Sequence, residues 1–194
     1  MANKSTFNID FFLNLHLILK IKNAIPDYEV SSLKKIQNIL EHSDIETIIF
    51  DIDQTIVPFG ETRIPEEIQK LIRILQPKYR MCFLSNFPHT EERIKRIRTI
   101  EAQLDIDAIF SERRKPSPAA FHMALEYLGS EPEKTMMVGD RILTDIIGAN
   151  QLGLRTVLVA PMDKKTDPFF MVTLPRFFER PYLKLGRFIY RNKE

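Results

Sequence analysis

The sequence predicts an α/β chain built on an open, doubly wound parallel sheet. Short β-branched and aromatic runs alternate with amphipathic segments of about ten residues, and conspicuous acids and small polar residues stand directly after the apolar runs. Strands that alternate with helices pair in parallel through right-handed crossovers, and ligands bind at the carboxyl ends of such strands.

The elements follow in order. After a turn at Pro26-Asp27, Leu33, Ile36, Ile39 and Leu40 mark a short amphipathic helix within Ser31 to His42, and Thr47-Ile48-Ile49-Phe50 reads as a buried strand ending in Asp51. Pro65 opens a helix with Ile68, Leu71, Ile72 and Leu75 on one face, stopped by Pro77, and Tyr79 to Leu84 is the next strand. Thr90 begins a helix with Glu91 and Glu92 in its first turn, where the helix dipole favours acids, and with Ile94, Ile97 and Ile100 facing inward. Ala108-Ile109-Phe110 is a brief strand. Ser117-Pro118 starts a helix that runs to Leu128 and ends at Gly129. Thr135 to Val138 is a strand, Leu143 to Leu152 a helix ended by Gly153, and Arg155 to Val159 a strand.

With 194 residues against ~150 for a typical domain, one domain is expected: residues about 1–43 as an N-terminal helical segment, about 44–165 as the core and about 166–194 as a C-terminal segment. Lys plus Arg number 28 and Asp plus Glu 26, a net +2 that is too balanced for wholesale nucleic-acid binding. Cys82 stands alone, which excludes an intramolecular disulfide, and its place within a strand makes it a buried apolar residue. His16, His42, His89 and His122 show no metal-ligand spacing.

The apolar stretch from Phe7 to Ile25 is interrupted by Asp10, Asn14, His16, Lys20 and Lys22, so it does not read as a spanning helix, and it lacks the pattern of a secretory signal or transit peptide. As a helix it places Phe11, Leu15 and Ile18 on one face, suited either to packing on the domain or to a membrane interface. From Pro175 onward, Arg176, Arg180, Lys184, Arg187, Arg191 and Lys193 alternate with Phe177, Phe178, Tyr182, Leu185, Phe188, Ile189 and Tyr190. The same two readings apply there: aromatics packed on the domain beneath solvated cations, or an interfacial segment.

Chemistry concentrates at three strand ends: Asp51 and Asp53 after the first, Ser85-Asn86 after the second, and Asp140 with Asp145 after the fourth. On a parallel sheet these ends share one edge. Carboxylates gathered there repel one another, and a hard divalent cation with oxygen ligands, Mg²⁺ for preference, relieves the repulsion. Such a cation brings a phosphate oxygen to Asp51, and an aspartate can attack phosphorus to form an aspartyl-phosphate.

Asp51-Ile52-Asp53-Gln54-Thr55, Ser85-Asn86, Lys115-Pro116 and Gly139-Asp140 with Asp145 resemble, in order, the four motifs of the haloacid dehalogenase (HAD) superfamily of phosphatases. The resemblance implies that Asp51 is the nucleophile and a metal ligand, and that Asp53 is general acid and base and lends its backbone carbonyl to the metal. It further implies that Thr55, Ser85, Asn86 and Lys115 hold the phosphoryl group, and that Asp140 and Asp145 complete the metal shell. One helix and one strand separate Asp53 from Ser85, and the same separate Asn86 from Lys115, so no cap domain fits and the site is expected to be open. Arg114-Lys115-Pro116, Val138 through Asp145, Gly148-Ala149-Asn150, Thr156 to Val159 and Phe178-Glu179-Arg180 further resemble the YqeG family of type IIIA HAD phosphatases, which is similar to mitochondrial phosphatidylglycerophosphate phosphatases. Gln54 departs from that pattern where asparagine is usual, and so does Phe87-Pro88-His89.

The resemblance thus implies conversion of phosphatidylglycerophosphate to phosphatidylglycerol by an enzyme peripheral to the cytoplasmic face of a membrane, or the matrix face of an organelle. Two alternatives stand beside it: a capless phosphatase for a phosphoprotein, nucleotide or sugar phosphate, and a membrane-associated scaffold without catalysis. The sequence leaves the oligomeric state open.

Overall fold

The computed structural model describes residues 21–86, 90–111, 113–169 and 173–191. The described strands form one six-stranded sheet of order β1-β6-β5-β2-β3-β4, every pair parallel. The strands are β1 (Tyr28–Val30), β2 (Thr47–Phe50), β3 (Arg80–Asn86), β4 (Ala108–Ser111), β5 (Thr135–Gly139) and β6 (Arg155–Val159).

Strand β2 is buried along its whole length, as a central parallel strand covered on both faces must be. Alternation sorts its side chains: Ile48 and Phe50 join one core cluster and Ile49 the other. The first cluster lies under α1 (Ile36–Glu41), α2 (Glu66–Leu75) and α3 (Glu91–Leu104), which contribute Ile36 and Leu40, Ile68 to Leu75, and Ile97 to Leu104. The second lies under α4 (Pro118–Leu128) and α5 (Ile147–Gln151), through Phe121, Ala124 and Ala149. A third cluster joins Ala24, Ile142, Ile146, Ile147 and Leu158 to Leu183 of α6 (Leu174–Arg191).

The helix boundaries follow local chemistry. Thr90 Oγ1 accepts the Arg93 N–H at the start of α3, and Asp105 closes that helix in the left-handed conformation at φ 55°. Gly129 does the same for α4 at φ 56°, a conformation glycine adopts without a Cβ clash.

Two local expectations need correction, one edge strand is not foreseen, and one expected helix is present in more detail. Tyr28–Val30 is a strand, added at the sheet edge by pairing with Val157 to Val159; three residues with a central glutamate carry no periodic signal of their own. Ile94 does not face inward but is 39% exposed, while Glu101 and Leu104 join Ile97 and Ile100 on the buried face. The helix expected from Leu143 to Leu152 is a π-helical stretch, Ile142–Ile146, followed by α5. The helix within Ser31 to His42 opens as a 3₁₀ turn, Leu33–Lys35, before α1. Of the Phe7–Ile25 stretch, residues 7–20 lie outside the described residues. Among those described, no helix is long and apolar enough to cross a membrane.

Gly148 sets how closely α5 approaches α4. A Cβ there would stand 2.3 Å from Phe121 Cε2 and 2.9 Å from the Pro116 carbonyl oxygen. Gly148→Ala is therefore expected to cost ~1–3 kcal/mol of stability, the usual penalty of overpacking. Denaturant titration of the variant against the native chain measures this, and unchanged stability would mean that α4 and α5 separate freely.

Candidate active site

The register of the sheet builds the site. Phe50 of β2 lies beside Val138 of β5, so Asp51 and Asp140, each directly past its strand, emerge side by side at one edge. The Asp51 N–H donates to the Val138 carbonyl at 2.9 Å, which fixes the point where the chain leaves the sheet. Asp145 returns from the π-helical stretch: its Oδ2 accepts the Arg141 N–H at 3.1 Å. Gly139 makes room for it, because a Cβ there would lie 2.4 Å from Asp145 Oδ2. Carboxylate oxygens of Asp51, Asp140 and Asp145 all lie within 4.8 Å of one another.

Lys115 enters this cluster from the loop after β4. Its Nζ donates to Asp51 Oδ1 at 2.5 Å and sits 2.8 Å from Asp145 Oδ1, with the side chain only 2% exposed. Asn86, at the end of β3, accepts the Lys115 N–H on Oδ1 at 2.8 Å and so anchors the lysine's backbone. Burial opposes the ammonium charge, but the Asp145 and Asp51 carboxylates outweigh it and push the lysine's pKa up.

Burial pushes the Asp51 carboxyl up to about 7, with Lys115 pulling it down and Asp145 and Asp53 reinforcing the rise. Asp140 is raised well above the ordinary carboxylate range by burial and by the Asp51 charge, against the pull of Arg176. The donor set suits a hard divalent cation: three carboxylates face two cations, Lys115 and Arg176, and Asp140 Oδ2 is buried without an aligned hydrogen bond. These residues could hold such an ion.

The remaining sequence-selected residues flank the cluster. Thr55 is buried and its Oγ1 has no hydrogen-bond partner among the described residues. Ser85, partly buried, directs its Oγ at the Asn86 carbonyl at 3.4 Å. The Asp53 carboxylate stands apart from the three-acid cluster, held by Arg96 of α3: Nη2 donates to Oδ1 at 2.6 Å and Nη1 to Oδ2 at 3.3 Å.

Sequence reasoning missed Arg96, and it missed Arg176, which reaches from α6 to lie 2.6 Å from Asp140 Oδ2 and 3.2 Å from Asp167. Gln54 belongs to the same network. The site loop turns through it at φ 64°, and its buried amide donates to the Asp163 carbonyl and the Asp167 carboxylate at 2.6 Å each, while its Oε1 accepts the Asp163 N–H at 2.8 Å. The departure from asparagine is thus a tether between the Asp51 loop and residues 163–167. Nothing local in the sequence signals these pairs, since each joins residues that are distant along the chain.

Residues 112–166 match a family model described as HAD-hydrolase-like. The fold agrees with that of a HAD phosphatase from Thermococcus onnurineus, at a TM-score of 0.50 and 15% identity over 66% of this chain and 90% of the other. The open parallel sheet, the acids past β2 and β5 and the lysine past β4 agree with the HAD-like description of that family model. The chain is similar to the probable phosphatase YqeG of Bacillus subtilis, 29% identical over 63% of this chain and 69% of that protein. It is also similar to the chloroplastic/mitochondrial phosphatidylglycerophosphate phosphatase 1 of Arabidopsis thaliana (24% identity, 76% of this chain) and to human N-acylneuraminate-9-phosphatase (28% identity, 57% of this chain). The chain spans 44% and 48% of those two proteins, respectively.

The crowded carboxylates make a stability prediction. The folded chain takes up the Asp51 proton near pH 7, whereas an unfolded aspartate does so near pH ~3.9, so the folded state binds more protons between these values. The stability contributed by this group therefore falls as pH rises from about 4 to about 7. Asp51→Asn is expected to melt higher than the native chain at pH 7.5 without divalent cations, by ~2–4 °C, with the gap closing toward pH 5 and shrinking when Mg²⁺ is added. Melting curves across that pH series decide it; equal midpoints at pH 7.5 would show that the carboxylates do not strain the fold.

Proposed function

We propose that this protein is a Mg²⁺-dependent phosphomonoesterase working through an aspartyl-phosphate on Asp51, and that its substrate is phosphatidylglycerophosphate, converted to phosphatidylglycerol. The single observation that carries the chemistry is the convergence of Asp51, Asp140, Asp145 and Lys115 on one point at the carboxyl edge of the sheet.

In this reading an Asp51 carboxylate oxygen attacks phosphorus, the bond from phosphorus to the leaving oxygen breaks, and Asp53 delivers a proton to the departing alkoxide. Water then attacks the phosphorus of the acyl phosphate while Asp53 takes its proton, and inorganic phosphate leaves. The Thr55 hydroxyl donates to a phosphoryl oxygen, the hydrogen bond its Oγ1 otherwise lacks. Lys115 neutralises the transferring group and keeps Asp51 aimed. Asp51, Asp140, Asp145 and the Asp53 backbone carbonyl would hold Mg²⁺, which when bound offsets the carboxylate charge and polarises the phosphoryl group. Arg96 holds both oxygens of the Asp53 carboxylate, so Asp53 must loosen one of these contacts to exchange its proton.

Two features support the lipid substrate. The plant relative bears that activity in its name, and among the described residues each segment linking β2 to β3 and β3 to β4 holds a single helix, leaving no insertion to enclose a small metabolite. A site of that kind suits a phosphate presented at a surface, which puts the enzyme on the inner face of a membrane. The N-acylneuraminate-9-phosphatase relative favours a second reading, a soluble sugar phosphate.

Phosphate release from phosphatidylglycerophosphate in mixed micelles separates them, with N-acylneuraminate 9-phosphate and p-nitrophenyl phosphate as soluble comparisons. The expected result is preferred turnover of the lipid, abolished by EDTA, reduced at least ~10³-fold by Asp51→Asn and ~10²–10⁴-fold by Asp53→Asn. Preferred turnover of the sugar phosphate would remove the lipid assignment and keep the site. Absence of any phosphatase activity would remove both and leave a scaffold.

A further inference from the structure

The C-terminal helix α6 carries an exposed apolar stripe. Leu174, Phe177, Phe178, Pro181, Leu185, Phe188 and Ile189 recur at helical spacing on one side. All are exposed, Phe177 and Phe188 to 71%. The opposite side holds the helix on the domain through Leu183, Gly186 against Ile21, and Glu179, whose carboxylate pairs with Arg141 at 2.8 Å. Phe177, Phe178 and Phe188 are thus not packed on the core, whereas Tyr182 packs against the third cluster.

Charge is distributed just as unevenly. Arg176, Arg180, Lys184, Arg187 and Arg191 are the cations of α6, and its one acid, Glu179, is buried. Arg180 and Arg187 are both drawn to Glu29 of β1, Arg187 at 2.9 Å, which fixes them along one flank of the stripe. A groove of about 420 Å³ lies beside the stripe, lined by Phe177, Pro181, Pro161, Lys164 and Arg180 and bordered at one side by Asp140 and Arg176.

We propose that the outer face of α6 is the surface by which this protein lies on an anionic lipid bilayer, apolar stripe down, with the groove bordered by Phe177 and Asp140 at its edge. This deepens the lipid reading of the preceding subsection and rests on it for the identity of the substrate, though not for binding itself. Charge decides between occupants. Arg180 and Arg187 share the one carboxylate of Glu29 and Lys184 is exposed, so this flank keeps a positive excess that a second copy would meet with its own, whereas an anionic headgroup layer complements it, each such charge near the surface adding ~1 kcal/mol of attraction. An amphipathic helix of this kind settles with its apolar side ~5–10 Å into the headgroup boundary. With 18 residues at ~1.5 Å each, α6 would present a contact line ~27 Å long, beginning at the end where Arg176 meets Asp140.

The chain contains no tryptophan, so single insertions report position directly. The full-length variants Phe188→Trp and Phe177→Trp, with Ile74→Trp on exposed α2 as control, are mixed with vesicles of phosphatidylcholine containing 30% phosphatidylglycerol or none. On the anionic vesicles the α6 tryptophans are expected to shift to shorter wavelength and to be quenched by brominated acyl chains; the control is expected to do neither. Leu185→Ser with Phe188→Ser, both exposed and outside the site, is expected to weaken sedimentation with anionic vesicles at least tenfold while leaving the melting midpoint and p-nitrophenyl phosphate turnover unchanged. Unquenched α6 tryptophans, or undiminished sedimentation of the double variant, would overturn the assignment. So would a dimer in analytical ultracentrifugation that the double variant dissolves, in a protein indifferent to vesicles. Vesicle binding through α6 without turnover of phosphatidylglycerophosphate would keep this surface and remove the substrate reading instead.

Discussion

The mutual repulsion of three crowded carboxylates, two of them buried and Asp51 partly so, is the constraint around which the structure is arranged. Asp51, Asp140 and Asp145 are brought within 4.8 Å of one another by adjacent parallel strands and a returning turn, and no fold would gather them for stability alone. Two cations make the cluster tolerable. Lys115 comes from the loop after β4, held by Asn86, and Arg176 comes from α6, held by Asp167. Lys115 is buried and Arg176 largely so, and their pairings are therefore screened less than those of exposed ions. A divalent cation would complete the balance that these two leave unfinished.

That need for countercharge explains why elements distant in sequence are fastened to the site. The Asp51 loop turns at Gln54 into a tether on residues 163–167, residues 163–167 supply Asp167 to Arg176, and Arg176 meets Asp140. The chain of contacts closes a ring from β2 through the segment after β6 to α6 and back to β5. Arg141 and Glu179 add a second fastening between the same two regions. Helix α6 is therefore part of the site's electrostatics on its inner side while presenting apolar residues on its outer side. A surface placed there has a direct mechanical connection to the carboxylates.

Small residues matter at two points for reasons of space. Gly139 admits the Asp145 carboxylate beside the strand end, and Gly148 lets α5 close on Phe121 and the Pro116 backbone, which carries Lys115. Both stand within the stretches that resemble the YqeG family. Only the structure shows that what they supply is room.

Much of this protein was legible locally. The alternation of runs such as Thr47 to Phe50 with helices such as Glu66–Leu75 determined a parallel α/β sheet, because burial on both faces of a strand and on one face of a helix leaves periodic traces in a short window. The order of those elements placed Asp51, Ser85-Asn86 and Asp140 at strand ends. Tertiary structure decided what periodicity does not encode: that Tyr28–Val30 joins the sheet, that Asp53 is met by Arg96 and Asp140 by Arg176, that Gln54 is a tether, and that the phenylalanines of α6 point outward while Tyr182 packs inward. Each depends on a partner tens of residues away, or on which side of a helix finds a neighbour. A pattern in the sequence records that a residue is apolar or charged; the fold alone supplies the group it meets.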